Sequence, residues 1–340
     1  MEDLELFNFM QNNVDKKKNY VYKIILFIIF IFIQFKNKRY LKNSINNKNK
    51  LDNNNDIKIC ICTPGKKENR YIKEFVIYYE KYGVDKIFLY DNNDINDEYF
   101  EDVIKDYVDK GFVEILNWRG KNNTGYTLRN DCYLKNSKQF NWLIYYDIDE
   151  YIYLTNFTNI KQFLNQQRFK NCLKINLNWV LHTDNNLIYY DNRTLHERFP
   201  ELQPNIIREK KHYKGNYRYK FILRGNISNP NINYYNLIST DISGCNGNGE
   251  KSKLISDKVM KNPDFKVYYI DHYYFKSVEE FVEKINKGDN YFGQKISFKK
   301  VRIKRFFKYN KVTLEKIKYI ENNTGINLSE FIKKKKIKKL

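Results

Sequence analysis

The sequence predicts an α/β protein whose mainly parallel sheet is flanked by helices, and three observations carry that prediction. From residue 57 onward, strand-like and helix-like segments alternate with short connections. The helical segments set apolar residues on one face and end at glycine, whereas the strand segments are short runs rich in Ile, Val, Phe and Tyr. Polar residues, several of them acidic, follow each strand.

Taken in order, IKICIC (57–62) reads as the first strand. ENRYIKEFVIYYEKYG (68–83) places Ile72, Phe75, Val76 and Tyr79 at the spacing of one helical face and closes on Gly83. KIFLY (86–90) is the second strand, and DEYFEDVIKDYVDKG (97–111) a second helix with acids in its first turn, where the helix dipole favours them, and a terminal glycine. FVEIL (112–116), a helix over about 124–138 and WLIYYD from Trp142 complete a βαβαβαβ series.

Sheets of this kind bind ligands beyond the carboxyl ends of their strands. There stand Thr63-Pro64-Gly65, Asp91-Asn92-Asn93-Asp94, Asn117-Trp118-Arg119 and Asp147-Ile148-Asp149-Glu150. Neither G-x-G-x-x-G nor G-x-x-x-x-G-K-[ST] is present, so the usual backbone cradles for phosphates are missing and a bound diphosphate needs another positive partner. Alternation along a strand puts Asp147 and Asp149 on one side as hard oxygen ligands for Mn²⁺ or Mg²⁺. Such an ion offsets the carboxylate charge and stabilises a departing diphosphate. The plain alternative for a lone D-x-D is an exposed turn.

Charge and composition narrow the function classes. The chain has 340 residues and a net charge of +21. Residues 1–50 carry 10 Lys/Arg against 4 Asp/Glu, and residues 295–340 carry 16 against 3, leaving 35 and 33 in the stretch between. A nearly neutral body with two basic arms argues against a nucleic-acid partner and suits a membrane or protein surface. Cys60, Cys62, Cys132, Cys172 and Cys245 are odd in number and lack zinc spacing, which indicates neither a metal site nor a disulfide framework.

The ends have their own logic. After a basic and polar segment (1–19), residues 20–36 hold an apolar run flanked by lysines, read as a membrane anchor, with no small-residue cleavage site after it. Positive charge on both sides leaves its orientation open. Residues 37–56 read as a flexible stem, 57–294 as the main domain, and 295–340 as a basic extension of two amphipathic helices and a lysine tail, lying on a membrane or covering the sheet. Asn-x-Ser/Thr sequons at Asn122, Asn156, Asn192, Asn226, Asn322 and Asn327 matter only in a secretory lumen.

Three ordered blocks, ENRYIKEFVIYYEKYGVDKIFLYDNND (68–94), WLIYYDIDEYIYL (142–154) and DHYYFKSVEEFVEKINKGD (271–289), resemble the family 92 glycosyltransferases and their family 2-like relatives. The resemblance implies the GT-A fold, a Rossmann-like α/β architecture. It also implies transfer of a hexose, galactose in characterised members, from a nucleoside diphosphate sugar with inversion. By position it implies Asp147, Asp149 and His272 as ligands of Mn²⁺ or Mg²⁺. Thr63, Glu68, Asn69, Asp91, Asn92, Asp147 and Lys276 are then expected at the nucleotide sugar, with Glu74 as the family's helical acid. Lys220 and Arg224, in YKFILRGN, are expected to neutralise phosphate or to bind acceptor. Glu197, in HERFPE, is the first expectation for the carboxylate that deprotonates the acceptor hydroxyl, and Asp184 the second. Trp118 and Trp179 could stack on a sugar, while Trp142 belongs to the core.

The chain departs from the family at Phe75 and Tyr79, where relatives carry tryptophan and histidine, and at Leu181-His182-Thr183, where they carry a glycine-serine element. The expected partners are a nucleotide-sugar donor, probed first as UDP-linked, and a glycan or glycoprotein acceptor. The expected setting is a single-pass membrane protein, of the ER/Golgi type in a eukaryote, with a soluble cytoplasmic form as the alternative. A catalytically inactive GT-A-like protein that binds carbohydrate or acts as a scaffold is the competing reading.

Overall fold

A computed structural model describes residues 57–121, 124, 127–202, 218–227, 244–252, 254–256, 259–260, 267–288 and 296–329. The expected anchor at 20–36, the segments on either side of it and the lysine tail lie outside the described residues. Among the described residues, no helix is long and apolar enough to cross a membrane.

The expected alternation is present as β1 (Ile59–Gly65), α1 (Asn69–Lys81), β2 (Lys86–Asp91), α2 (Glu101–Asp109), β3 (Val113–Asn117), α3 (Thr127–Asn136) and β4 (Trp142–Ile144). There follow β5 (Glu150–Leu154), α4 (Ile160–Leu164), β6 (Lys174–Leu181), α5 (Leu195–Arg198), β7 (Tyr219–Arg224) and the short strands β8 (Cys245–Asn246), β9 (Leu254–Ser256) and β10 (Val259–Met260). The last elements are β11 (Tyr268–His272), α6 (Val278–Lys287), α7 (Ile296–Tyr309) and α8 (Leu314–Thr324).

The main sheet runs β3-β2-β1-β4-β7-β6-β11-β5, with β8 beside β6; β9 and β10 pair separately. Strands β1 to β4 are mutually parallel, β7 is antiparallel between β4 and β6, β11 is parallel to β6, and β5 is antiparallel to β11. The carboxyl ends of β1 to β4, β6 and β11 therefore share one edge, and β5 starts from it.

Strand alternation builds the layers. Ile59 and Ile61 of β1 join Phe75, Val76 and Tyr79 of α1 and Ile104 of α2 in one core, while Cys60 and Cys62 point to the opposite face with Leu128 and Cys132 of α3. Trp142 is buried as expected.

Two disulfides correct the reading of the cysteines: Cys62–Cys132 joins β1 to α3, and Cys172–Cys245 joins the approach to β6 to β8. The partners lie 70 and 73 residues apart, and only the folded arrangement brings them together, so spacing along the chain could not reveal them. Cys60 remains a buried free thiol. Replacing Cys62 by Ala is expected to lower stability by about 2–4 kcal/mol. Urea unfolding of oxidised protein measures the loss, and a variant as stable as the parent would remove the disulfide from the account.

Helices α7 and α8 bury their apolar faces against α6: Ile303, Phe306, Phe307, Ile317 and Ile320 form a separate cluster with Phe275, Phe281 and Ile285. These buried side chains meet the expectation that the extension covers the body, here at α6, while Ile296 and Val301 of α7 stay exposed.

Candidate active site

The end of β4 and the start of β5 build the site. Pairing between β4 and β7 stops at Ile144 opposite Ile222. The chain then turns through Asp147-Ile148-Asp149-Glu150. The Glu150 amide donates to the Asp147 carbonyl at 3.0 Å, and the Asp147 amide donates to the Glu150 carboxylate at 2.9 Å. The strand alternation expected at Asp147 and Asp149 is thus replaced by a turn. Its physical advantage is that neighbouring acids can each reach a different cation, instead of crowding one face of a ladder.

Asp147 meets Arg129 of α3 at 2.8 Å and Lys220 of β7 at 2.7 Å. Asp149 accepts from Lys284 of α6 at 2.6 Å and faces Nε2 of His272 at 3.5 Å, with Lys276 at 3.7 Å. Glu150 is fully buried and takes Lys220 at 3.0 Å. Its Oε1 stands 3.8 Å from Nδ1 of His272, and neither atom has a hydrogen-bond partner. The hydroxyl of Tyr79 donates to the Glu150 carbonyl at 2.9 Å and accepts from the Ile152 amide at 3.1 Å. One departure from the family pattern thereby fixes the start of β5.

Charge follows from this packing. Burial pushes both aspartates upward, but Lys220 and Arg129 at Asp147, and Lys284 and Lys276 at Asp149, outweigh it and hold both carboxylates below their usual range. Burial pushes Glu150 up to about 8 in spite of Lys220. Burial lowers His272 to about 4, which leaves a neutral imidazole near pH 7.

Asp147, Asp149 and His272 open onto a cavity of about 260 Å³, walled also by Trp179, Arg129, Lys284 and Lys287. Five Lys/Arg side chains line it against three carboxylates, an excess that suits an anionic ligand. A cavity of about 520 Å³ shares Lys66, Glu68, Lys284 and Lys287 with it. Two ionised carboxylates and a neutral imidazole are a donor set that fits Mg²⁺ or Mn²⁺. Among the described residues no three such groups yet converge, and Lys220 and Lys284 hold the aspartate oxygens.

Other expected residues divide into two groups. Glu68 lines both cavities and pairs with Lys287 at 2.6 Å. Lys276, whose φ is +56°, lies over the Tyr71 ring at 3.8 Å and lines the larger cavity. Lys220 is drawn to the acids as described. The remaining expected residues line neither cavity. Thr63 is buried within β1, and Asn69 donates to the Tyr99 carbonyl. Asp91 pairs with Arg119 at 2.6 Å, and Asn92 ties the loops after β2 and β3 by bonding to the Trp118 and Lys121 carbonyls.

Three expectations are corrected outright. Glu197 is exposed and caps its own short helix, receiving the Thr194 amide at 3.0 Å and hydroxyl at 2.7 Å. Asp184 is buried against Lys316, which fastens α8 to the body. Arg224 pairs with Trp142 in register at the opposite end of β4 and donates to the Cys172 and Phe169 carbonyls. Glu74 likewise caps α5 through the Leu195 amide. His182, the other departure from the family, stands 2.6 Å from both Asp271 and the Phe199 carbonyl, outside both cavities.

Arg129, Lys284 and Lys287 were not legible as site residues. Lys284 and Lys287 do have a signal: they lie three apart after the Ser277–Glu280 capping box, which puts both on one face of α6.

Fold and site together define an α/β protein with a cation-lined cavity at the carboxyl edge of its sheet. The model of glycosyltransferase family 92 matches residues 55–225, half of the chain, and the chain belongs to that family. A family 92 protein of Ricinus communis is 29% identical over 112 residues, covering 32% of this chain and 19% of that protein. One of Oryza sativa subsp. japonica is 27% identical over 99 residues, covering 28% and 16%. The chain thus matches less than a fifth of the length of these curated relatives. Among solved structures, S. aureus TarS 1-349 in complex with UDP-GlcNAc aligns at a TM-score of 0.33 and 14% identity, over 79% of this chain and 80% of that one.

Proposed function

We propose that the body is a metal-dependent GT-A glycosyltransferase that moves a hexose from a nucleoside diphosphate sugar, UDP-linked in the first instance, to a hydroxyl of a glycan or glycoprotein. The observation that carries this reading is the cation-lined cavity onto which Asp147, Asp149 and His272 open together. Asp147, Asp149 and His272 would hold Mn²⁺ or Mg²⁺, which when bound stabilises negative charge on the departing diphosphate. Arg129, Lys284 and Lys287 add fixed positive charge for the same oxygens. Trp179 offers an apolar face for the sugar, edge-on to His272 with ring centroids 4.4 Å apart. Inversion and galactose are expectations of the family.

The two disulfides support a body that matures in an oxidising compartment, behind an N-terminal anchor at 20–36. Asn156, Asn192, Asn226, Asn322 and Asn327 are all exposed and open to glycosylation there.

The test is nucleotide release by the full chain in detergent, offered UDP-, GDP- and CMP-sugars with Mn²⁺ or with EDTA. Release from a UDP-sugar that stops in EDTA is the expected result. A folded, Mn²⁺-loaded protein that releases nothing from any donor would instead favour the inactive carbohydrate-binding or scaffold reading.

A further inference from the structure

We infer that Lys284 is an exchangeable counterion: it neutralises Asp149 until metal arrives, then passes to the diphosphate of the donor, so that metal and nucleotide bind cooperatively. The inference rests on the metal-dependent reading above and adds to it a role for a residue outside the matched family segment.

Among the nitrogens that face Asp149, Lys284 is the nearest, 2.6 Å from Oδ2; His272 stands 3.5 Å from Oδ1 and Lys276 3.7 Å from Oδ2. A divalent ion taken through both oxygens of Asp149 needs the one that Lys284 occupies. A divalent ion on Asp149 would also repel the ammonium beside it, so the two compete for one carboxylate.

Lys284 is also the cation suited to leave. Lys220 is shared between Asp147 and Glu150, projects from a sheet strand and is 14% exposed; its departure would take a partner from two acids at once. Lys284 is 21% exposed and projects from α6. Its other anchors are weaker, the Tyr274 carbonyl at 3.3 Å and the Tyr274 ring at 4.4 Å. Because it lines both cavities, an ammonium released from Asp149 remains in the wall of the donor cavity, where phosphate oxygens offer it a new partner. Metal and diphosphate then each lower the cost of binding the other, and linkage makes the effect reciprocal.

The experiment is Mn²⁺ titration of the full chain followed by electron paramagnetic resonance, with and without UDP, on the parent, Lys284→Met, Lys284→Arg and Asp149→Asn. Lys284→Met is expected to bind Mn²⁺ alone more tightly than the parent by about 5-fold or more, the lower end of typical couplings, and to show less tightening by UDP. Lys284→Arg keeps the charge and is expected to resemble the parent. If the parent binds Mn²⁺ through Asp149 and Lys284→Met binds it equally or more weakly, the counterion role fails while the metal site stands. If the parent binds no Mn²⁺, or Asp149→Asn binds it as well as the parent, the metal reading fails and the inference with it. Melting curves confirm that each variant is folded.

Discussion

Asp149→Asn is expected to lower kcat about a thousandfold, the upper end of the loss on removing one preorganised polar group. The amide keeps the shape of the carboxylate but not its charge, and Asp149 is where Lys284, Lys276 and His272 converge. No neighbouring acid can take over, because Glu150 is committed to Lys220 and to the Asp147 amide. Asp147→Asn is expected to cost less, about a hundredfold, since Glu150 keeps Lys220 in position. Steady-state nucleotide release measures both, with Mn²⁺ affinity followed in parallel to separate binding from chemistry. A kcat for Asp149→Asn within tenfold of the parent would remove it from the reaction.

The fold was legible where one periodicity ruled. Ile72, Phe75, Val76 and Tyr79 announce α1, and all four are buried in the core. The short runs after Lys86 and Phe112 announce β2 and β3 in the same way. The sequence failed where two signals competed. WLIYYDIDEYIYL reads as two strand-like runs with strand alternation carried through Asp147 and Asp149, but its acids meet cations from three other elements and the chain turns between Asp147 and Glu150. Composition alone cannot weigh that tertiary demand against strand propensity.

The acids stand out in the sequence because carboxylates between apolar runs have few structural uses, and the structure brings Asp147, Asp149 and His272 to the wall of one cavity. Of the cations around them, Lys220 and Lys276 were singled out in the sequence, whereas Lys284 and Lys287 are lost among 61 Lys/Arg and Arg129 lies in a helix with weak periodicity. Glu197 misled for a definable reason. A Thr-x-x-Glu pattern is equally a capping box, and Thr194-Leu195-His196-Glu197 forms one. Asp184 misled because its partner, Lys316, is 132 residues away in an extension that sequence reading kept apart from the domain.

The second large effect is on stability. Glu280→Ala is expected to destabilise the body by about 3–5 kcal/mol, the cost of stranding a buried charge. Arg198 donates to Glu280 through two nitrogens at 2.7 and 3.1 Å, and both side chains are 1% exposed. The Tyr71 hydroxyl adds a bond at 2.7 Å and the Ser277 amide one at 3.0 Å, so α1, α5 and α6 meet on one carboxylate. Glu280→Leu combined with Arg198→Met is expected to recover much of the loss, because that pair removes both charges from the interior. Burial pushes the Glu280 carboxyl upward, but Arg198 and Ser277 overcome it and hold the group below its usual value. A carboxylate lowered in the folded state contributes stability that is fully present above its unfolded pKa, near 4.5, and is lost as pH falls through the folded pKa. The melting temperature of the parent is therefore expected to fall more steeply below pH 4.5 than that of the double variant, and parallel profiles would show that the pair carries no linked stability. Glu280 and Lys284 lie one turn apart on α6 and both line the larger cavity, so the junction that steadies the fold also sets a wall of that cavity. Loss of the pair should then weaken nucleotide binding even at temperatures where the protein remains folded.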